Sequence, residues 1–177
     1  MSEKNGPVII VGVDGVLNPW NQHHLGFVRM KIRLSTGEVF KVALNHNHGK
    51  MLMDLAKKTG SELMWASFWN EHANEHIGRR LGLPELPVIP ISDEVNHMPR
   101  HKRPSTGAWK VRCVAESGML AGRSFVWFDD EPEVPELAAS DSRLGPHLVV
   151  PVPWVTGLNV AHIAQAERWL MATAAPV

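Results

Sequence analysis

The chain is most constrained by a recurring pattern: short apolar runs that end in a polar residue, separated by amphipathic stretches of helical length. The first run, Pro7-Val8-Ile9-Ile10-Val11-Gly12-Val13, is largely β-branched and ends in Asp14-Gly15. Leu63-Met64-Trp65-Ala66 ends in Ser67, and Ser124-Phe125-Val126-Trp127-Phe128 ends in Asp129-Asp130. Near-continuous apolar runs suit strands covered on both faces. Two further runs, Leu86 to Ile91 and His147 to Val152, read as strands of the same kind. Between them lie segments with apolar residues at helical spacing: His48 to Lys58, stopped by Gly60; Asn70 to Leu81, followed by Gly82; Ser105 to Ser117; and Asn159 to Ala172. Strands alternating with helices predict an α/β domain with a mainly parallel sheet. Phe27 to Leu34 and Glu38 to Leu44 depart from this pattern. They alternate apolar and charged residues around Ser35-Thr36-Gly37, which predicts a β-hairpin with one wet face.

At 177 residues the chain is the size of one domain, and 44% hydrophobic with 20% charged residues is a globular mix. Lys+Arg and Asp+Glu balance at 18 each, so no global field draws the protein to nucleic acid or anionic lipid. The single cysteine, Cys113, excludes an internal disulfide framework and fits a reducing compartment. The apolar run of Val8 to Val13 is too short for a signal-peptide core or a membrane span, so a cytoplasmic protein with no membrane contact is expected. Charge is unevenly placed. Arg100, Lys102, Arg103, Lys110 and Arg112 lie in a stretch without acids, while Asp129 to Asp141 carries only acids.

In a parallel sheet the carboxyl ends of the strands share one edge, and ligand crevices form there. Asp14, Ser67, Asp129 and Asp130 all sit at such ends. Carboxylates and a hydroxyl converging there suit Mg²⁺, which prefers oxygen ligands. A basic residue from the preceding helix would neutralise phosphate oxygens.

The order of these motifs resembles the haloacid dehalogenase-like (HAD) superfamily. Its first motif, an apolar strand with Asp-x-Asp-Gly, is matched by Gly12-Val13-Asp14-Gly15-Val16-Leu17-Asn18-Pro19. The strand ending in Ser/Thr is matched by Met64 to Ser67, the lysine by Lys110 (or Lys102), and the acidic strand end by Val126 to Glu131. The fuller strings, with Thr156-Gly157-Leu158, are similar to a small branch found in bacteria and phages and associated with nucleic-acid-repair phosphatase domains. The resemblance implies a single three-layer, Rossmann-like α/β domain over residues 1–177. It carries a hairpin flap at about residues 26–44 after the first strand, and no large cap. It assigns Asp14, Ser67 and Lys110 catalytic roles, phosphate contact to Ser67, Lys110 and Gly15, and Mg²⁺ to Asp130, Asp129 and Asp14. A receiver-type fold gathers similar groups, but its paired acids come first and here they come last.

One position departs from the family pattern. Where the family has its nucleophilic, metal-binding Asp, this sequence has Gly12. A glycine there answers either to a close backbone approach or to a repurposed phosphatase site. Two functions follow from the resemblance. One is a silent or impaired relative that binds a phosphorylated ligand or a protein partner. The other is a working Mg²⁺-dependent phosphohydrolase of phosphomonoesters, nucleic-acid ends among them, with water or another carboxylate as the attacking group. Arg29, Lys31 and Arg33 on the hairpin could follow a phosphate backbone, or simply line its wet face. His72 and His76, four apart, read as surface histidines, His46 and His48 as loop residues, and Trp65, Phe68 and Trp69 as core or crevice wall.

Overall fold

The computed structural model describes residues 6–23 and 25–174; residues 1–5, 24 and 175–177 of the expected 1–177 domain lie outside the described residues. Five parallel strands form the central sheet: β1 (Val8–Val11), β4 (Glu62–Ala66), β5 (Val88–Ile89), β6 (Phe125–Asp129) and β7 (His147–Pro151), in the order β5-β4-β1-β6-β7. β1 lies at the centre, with Ile10 in register with both Met64 and Trp127. All of its residues are buried, as an unbroken apolar run requires. Connections leave β1 first toward β4 and β5 and then return to β6 and β7. The strand order therefore reverses between β1 and β6, where α/β sheets place their crevice.

The helices complete three layers. α1 (Asn47–Thr59) and α5 (Val160–Ala174) pack together on one face, over a core that includes Ile9, Val11, Trp65 and Phe128. α3 (Thr106–Glu116) and α4 (Val134–Ser140) cover the other face, over Val8, Ile10, Phe125 and Trp127. The alternation of strand side chains between faces divides the two cores. Ser105 caps α3 by accepting from the Ala108 N–H. Gly60, at φ 64°, ends α1 in the left-handed region.

The hairpin forms as the alternation predicts. β2 (Val28–Arg33) and β3 (Val39–Leu44) pair antiparallel as a separate sheet, with Ile32, Val42 and Leu44 turned into the first core. Two expectations need correcting. The segment read as a helix over residues 70–81 is a π-helical turn, Ala73–Gly78, followed by a 3₁₀ turn, Arg79–Leu81. His48, read as a loop residue, lies buried in α1, and the acidic stretch after β6 contains α4. A short helix, α2 (Glu94–His97), also precedes α3. Its four residues are too few to show a helical period in sequence. Among the described residues no helix is long and apolar enough to cross a membrane.

Candidate active-site crevice

The carboxyl ends of β1, β4 and β6 bring the predicted residues to one edge in two contact sets, Asp129 with Lys110 and Asp130, and Asp14 with Trp69 and Ser67. Asp129, the last residue of β6, is fully buried. It meets Lys110 of α3, whose ammonium donates to both carboxylate oxygens at 3.0 and 3.2 Å. The Glu131 N–H donates to the same carboxylate. Lys110 also lies 3.5 Å from Asp130. Burial works to lower the Lys110 pKa, but the Asp129 and Asp130 carboxylates outweigh it and hold the ammonium above the ordinary lysine range. Asp130 is pushed up chiefly by burial, against the pull of Lys110, and Glu131 likewise. Of the two lysines the sequence offers, Lys110 reaches the acids; Lys102 is exposed, on a 3₁₀ turn at Arg100–Lys102.

Asp14 is exposed at the end of β1 and held from two sides. Asn18 Nδ2 donates to one carboxylate oxygen at 2.7 Å, and the Trp69 indole N–H to the other at 2.9 Å. Trp69 comes from the loop after β4. Its own N–H donates to the Ser67 hydroxyl at 3.2 Å, and its ring packs 5.1 Å from Phe40 of the hairpin. Ser67 is buried, and because the helical turn starts only at Ala73 with His72 at its cap, Ser67 does not cap it. Gly15 joins the two carboxylates. Its φ of 75° lies in the left-handed region, and a Cβ there would run into the Asp130 side chain.

Gly12 stands between the groups from β1 and β6. Its N–H donates to Phe128 O at 3.1 Å, closing the two strands together. A Cβ at this position would lie 3.2 Å from Val16 Cγ2, 3.3 Å from Phe128 O and 3.7 Å from Asp129 Oδ2. The backbone of β6 is therefore close on one side and the Val16 side chain on another, and the space beyond points toward Asp129.

An open groove of about 980 Å³ lies over Asp14, Gly15 and Asp130. Its other walls include Asn18, Trp20, Lys41 and Trp154. Trp20 and Trp154 meet edge-to-face at 5.8 Å, on loops tied together by the Trp20 N–H to Trp154 O bond. The hairpin closes one side, since Asn18 Oδ1 accepts from the Ala43 N–H and Gln22 Nε2 donates to Lys41 O. Lys110, Ser67 and Asp129 lie behind this surface, buried. Sequence reading missed Trp20, Lys41, Asn18 and Trp154 as wall residues. Asn18-Pro19 directly after the first motif was the one local signal for them.

A family model for the HAD domain in Swiss Army Knife RNA repair proteins matches residues 8–163, from β1 into α5. The chain belongs to this family. The HAD-like motifs and the strand order thus belong to a HAD-type, Rossmann-like α/β fold. Among solved structures, a hypothetical protein from Xanthomonas campestris is 15% identical, with a TM-score of 0.46 over 97% of this chain and 86% of its own. A Legionella pneumophila protein assigned to HAD superfamily hydrolases of subfamily III A is 15% identical, with a TM-score of 0.41 over 96% and 89%. A Vibrio cholerae protein assigned as a 3-deoxy-D-manno-octulosonate 8-phosphate phosphatase is 12% identical, with a TM-score of 0.41 over 98% and 89%. No curated protein matches the chain.

Proposed function

We propose that this HAD-family domain binds a phosphorylated ligand at the groove but hydrolyses phosphomonoesters weakly or not at all. One observation carries the reading. The position directly after β1 that faces Asp129 is Gly12, which has no side chain to attack phosphorus, while the acids and the lysine around it are retained. Nucleophilic catalysis splits a hard step into two easier ones through a covalent intermediate. Without that group, Asp14 could only act as base toward water. Loss of the nucleophile corresponds to a rate drop of about 10³ to 10⁶.

HAD proteins generally use Mg²⁺, and the donor set suits it in part. Asp14 and Asp130 offer carboxylates on the groove, and Mg²⁺ binds through one or two carboxylates with waters completing its shell. Asp129 is enclosed and engaged by Lys110, and position 12 offers nothing. Mg²⁺ held by Asp14 and Asp130 would neutralise phosphate charge; Lys110 would keep Asp129 and Asp130 from repelling each other. Lys41 on the wall supplies a cation for a phosphorylated ligand, whether small molecule, nucleic acid or protein partner.

Turnover of p-nitrophenyl phosphate with Mg²⁺ tests the reading on wild type, Gly12→Asp and Asp14→Asn. The expected result is negligible activity in wild type and a gain in Gly12→Asp. The Cβ contacts at position 12 ask for shifts of only a few tenths of an ångström, and Val16 can supply its share by turning its side chain. Wild-type activity that Asp14→Asn abolishes would overturn the proposal in favour of a working phosphohydrolase.

A further inference from the structure

We propose that His72, Glu75 and His76 form a binding site for a borderline transition-metal ion such as Zn²⁺, with at least one coordination position left to water. Each residue turns one ligand atom toward the others, and the three atoms lie within 4.8 Å of one another. Among the described residues this is the one such group of His, Cys, Asp and Glu side chains. Two imidazoles and one carboxylate are ligands that Zn²⁺ accepts, and three protein ligands with an open position is a standard arrangement for it.

The backbone explains the convergence. On a helical segment, positions four apart lie on the same face, one above the other. Here the turn is π-helical, with the Arg79 N–H donating to Asn74 O, five residues back. A turn closed by such bonds holds a little over four residues, so residue 76 stays on the same face as residue 72. Their rings face each other at 5.9 Å. Glu75 Oε2 comes to 3.6 Å from His76 Nε2.

The wider turn is fixed from inside. Asn74 points into the fold, accepts from the Trp65 indole N–H and the Leu86 N–H, and donates to Leu86 O. Ala73 and Ile77 are buried on the same side. With Asn74 anchored at three points, His72, Glu75 and His76 are left on the outer side, half-buried, exposed and half-buried respectively. A site whose ligands are held before the metal arrives loses little freedom on binding. The order of the residues, His72-Ala73-Asn74-Glu75-His76, places both histidines and the carboxylate within a single turn. This site is formed by elements other than those lining the groove, and it does not depend on phosphatase chemistry.

The test is isothermal titration of the full chain with ZnCl₂, with Co²⁺ titration followed by visible absorption as a second readout. Wild type should bind one equivalent of Zn²⁺, and Co²⁺ should give the intense visible bands of a low-coordinate site. His72→Ala and His76→Ala should each weaken binding at least tenfold, and Glu75→Gln should weaken it less. Glu75→Gln should keep the wild-type melting temperature in chelator, because the Glu75 side chain is 61% exposed. The proposal is overturned if wild type takes up no Zn²⁺, or if the double variant His72→Ala/His76→Ala still binds one equivalent with unchanged affinity. If a single variant fails to fold, Glu75→Gln and the Co²⁺ spectrum of wild type still decide between these results.

Discussion

Replacing Lys110 with methionine tests the tertiary contact that holds the crevice together. The substitution keeps the aliphatic stem and removes the ammonium, leaving packing in α3 nearly unchanged. What it leaves behind is the Asp129 carboxylate, fully buried, with the Glu131 N–H as its remaining donor. Removing one partner of a buried pair costs about 3–5 kcal/mol, because the other charge stays desolvated. A domain of this size has a total stability of about 5–15 kcal/mol, so the loss is a large fraction of it. Urea unfolding followed by tryptophan fluorescence reads the change. With a slope of about 2 kcal/mol/M the midpoint should fall by about 2 M at pH 7. Adding Asp129→Asn removes the orphaned charge, so the double variant should recover part of the loss rather than add to it. Asp129→Asn alone should cost less than Lys110→Met, because Asp130 remains 3.5 Å from the lysine and still compensates its charge. The reasoning is refuted if Lys110→Met costs less than 1 kcal/mol, or if the double variant loses the sum of the two single losses.

Two further outcomes follow from single residues. His48 is buried in α1, donates from Nε2 to Leu158 O at 2.9 Å, and has no partner at Nδ1 among the described residues. Burial, against that bond, lowers its pKa from 6.5 to about 4. The unfolded chain therefore binds a proton that the folded state refuses. Stability should be full above pH 6.5 and fall by about 3 kcal/mol toward pH 4. His48→Gln, measured by urea unfolding across that range, should flatten this part of the curve; an unchanged slope would show that His48 is not the source. Gly15→Ala should lose about 2 kcal/mol or more, from left-handed strain of about 1–2 kcal/mol plus displacement of Asp130. Gly60→Ala, with similar φ and open space, should lose the strain alone; equal losses in the two variants would remove Asp130 from the account.

How much of this was legible in the chain differs from one feature to the next. Each strand announced itself through its own run of apolar residues, because a strand buried on both faces needs an unbroken one. Asp14, Ser67 and Asp129-Asp130 were legible for the same reason: parallel strands deliver their ends to one edge. The hairpin was readable in its period-two alternation. The π-helical turn was not, since Ala73, Ile77 and Leu81 have the spacing of an ordinary α-helix. Asn74 in that turn bonds Trp65 and Leu86 across the fold, and the local spacing does not encode those contacts.

The sequence by itself determined the layers, the parallel sheet and the residues that reach its edge, since these depend on periodicity and on what lies at the end of each run. Only the tertiary structure decided that Lys110 rather than Lys102 meets the acids, that Asp129 is sealed while Asp130 faces the groove, and that Trp69 and Asn18 hold Asp14. Those outcomes depend on which side chains from distant segments compete for the same buried space and the same lone pairs. No local pattern encodes that competition.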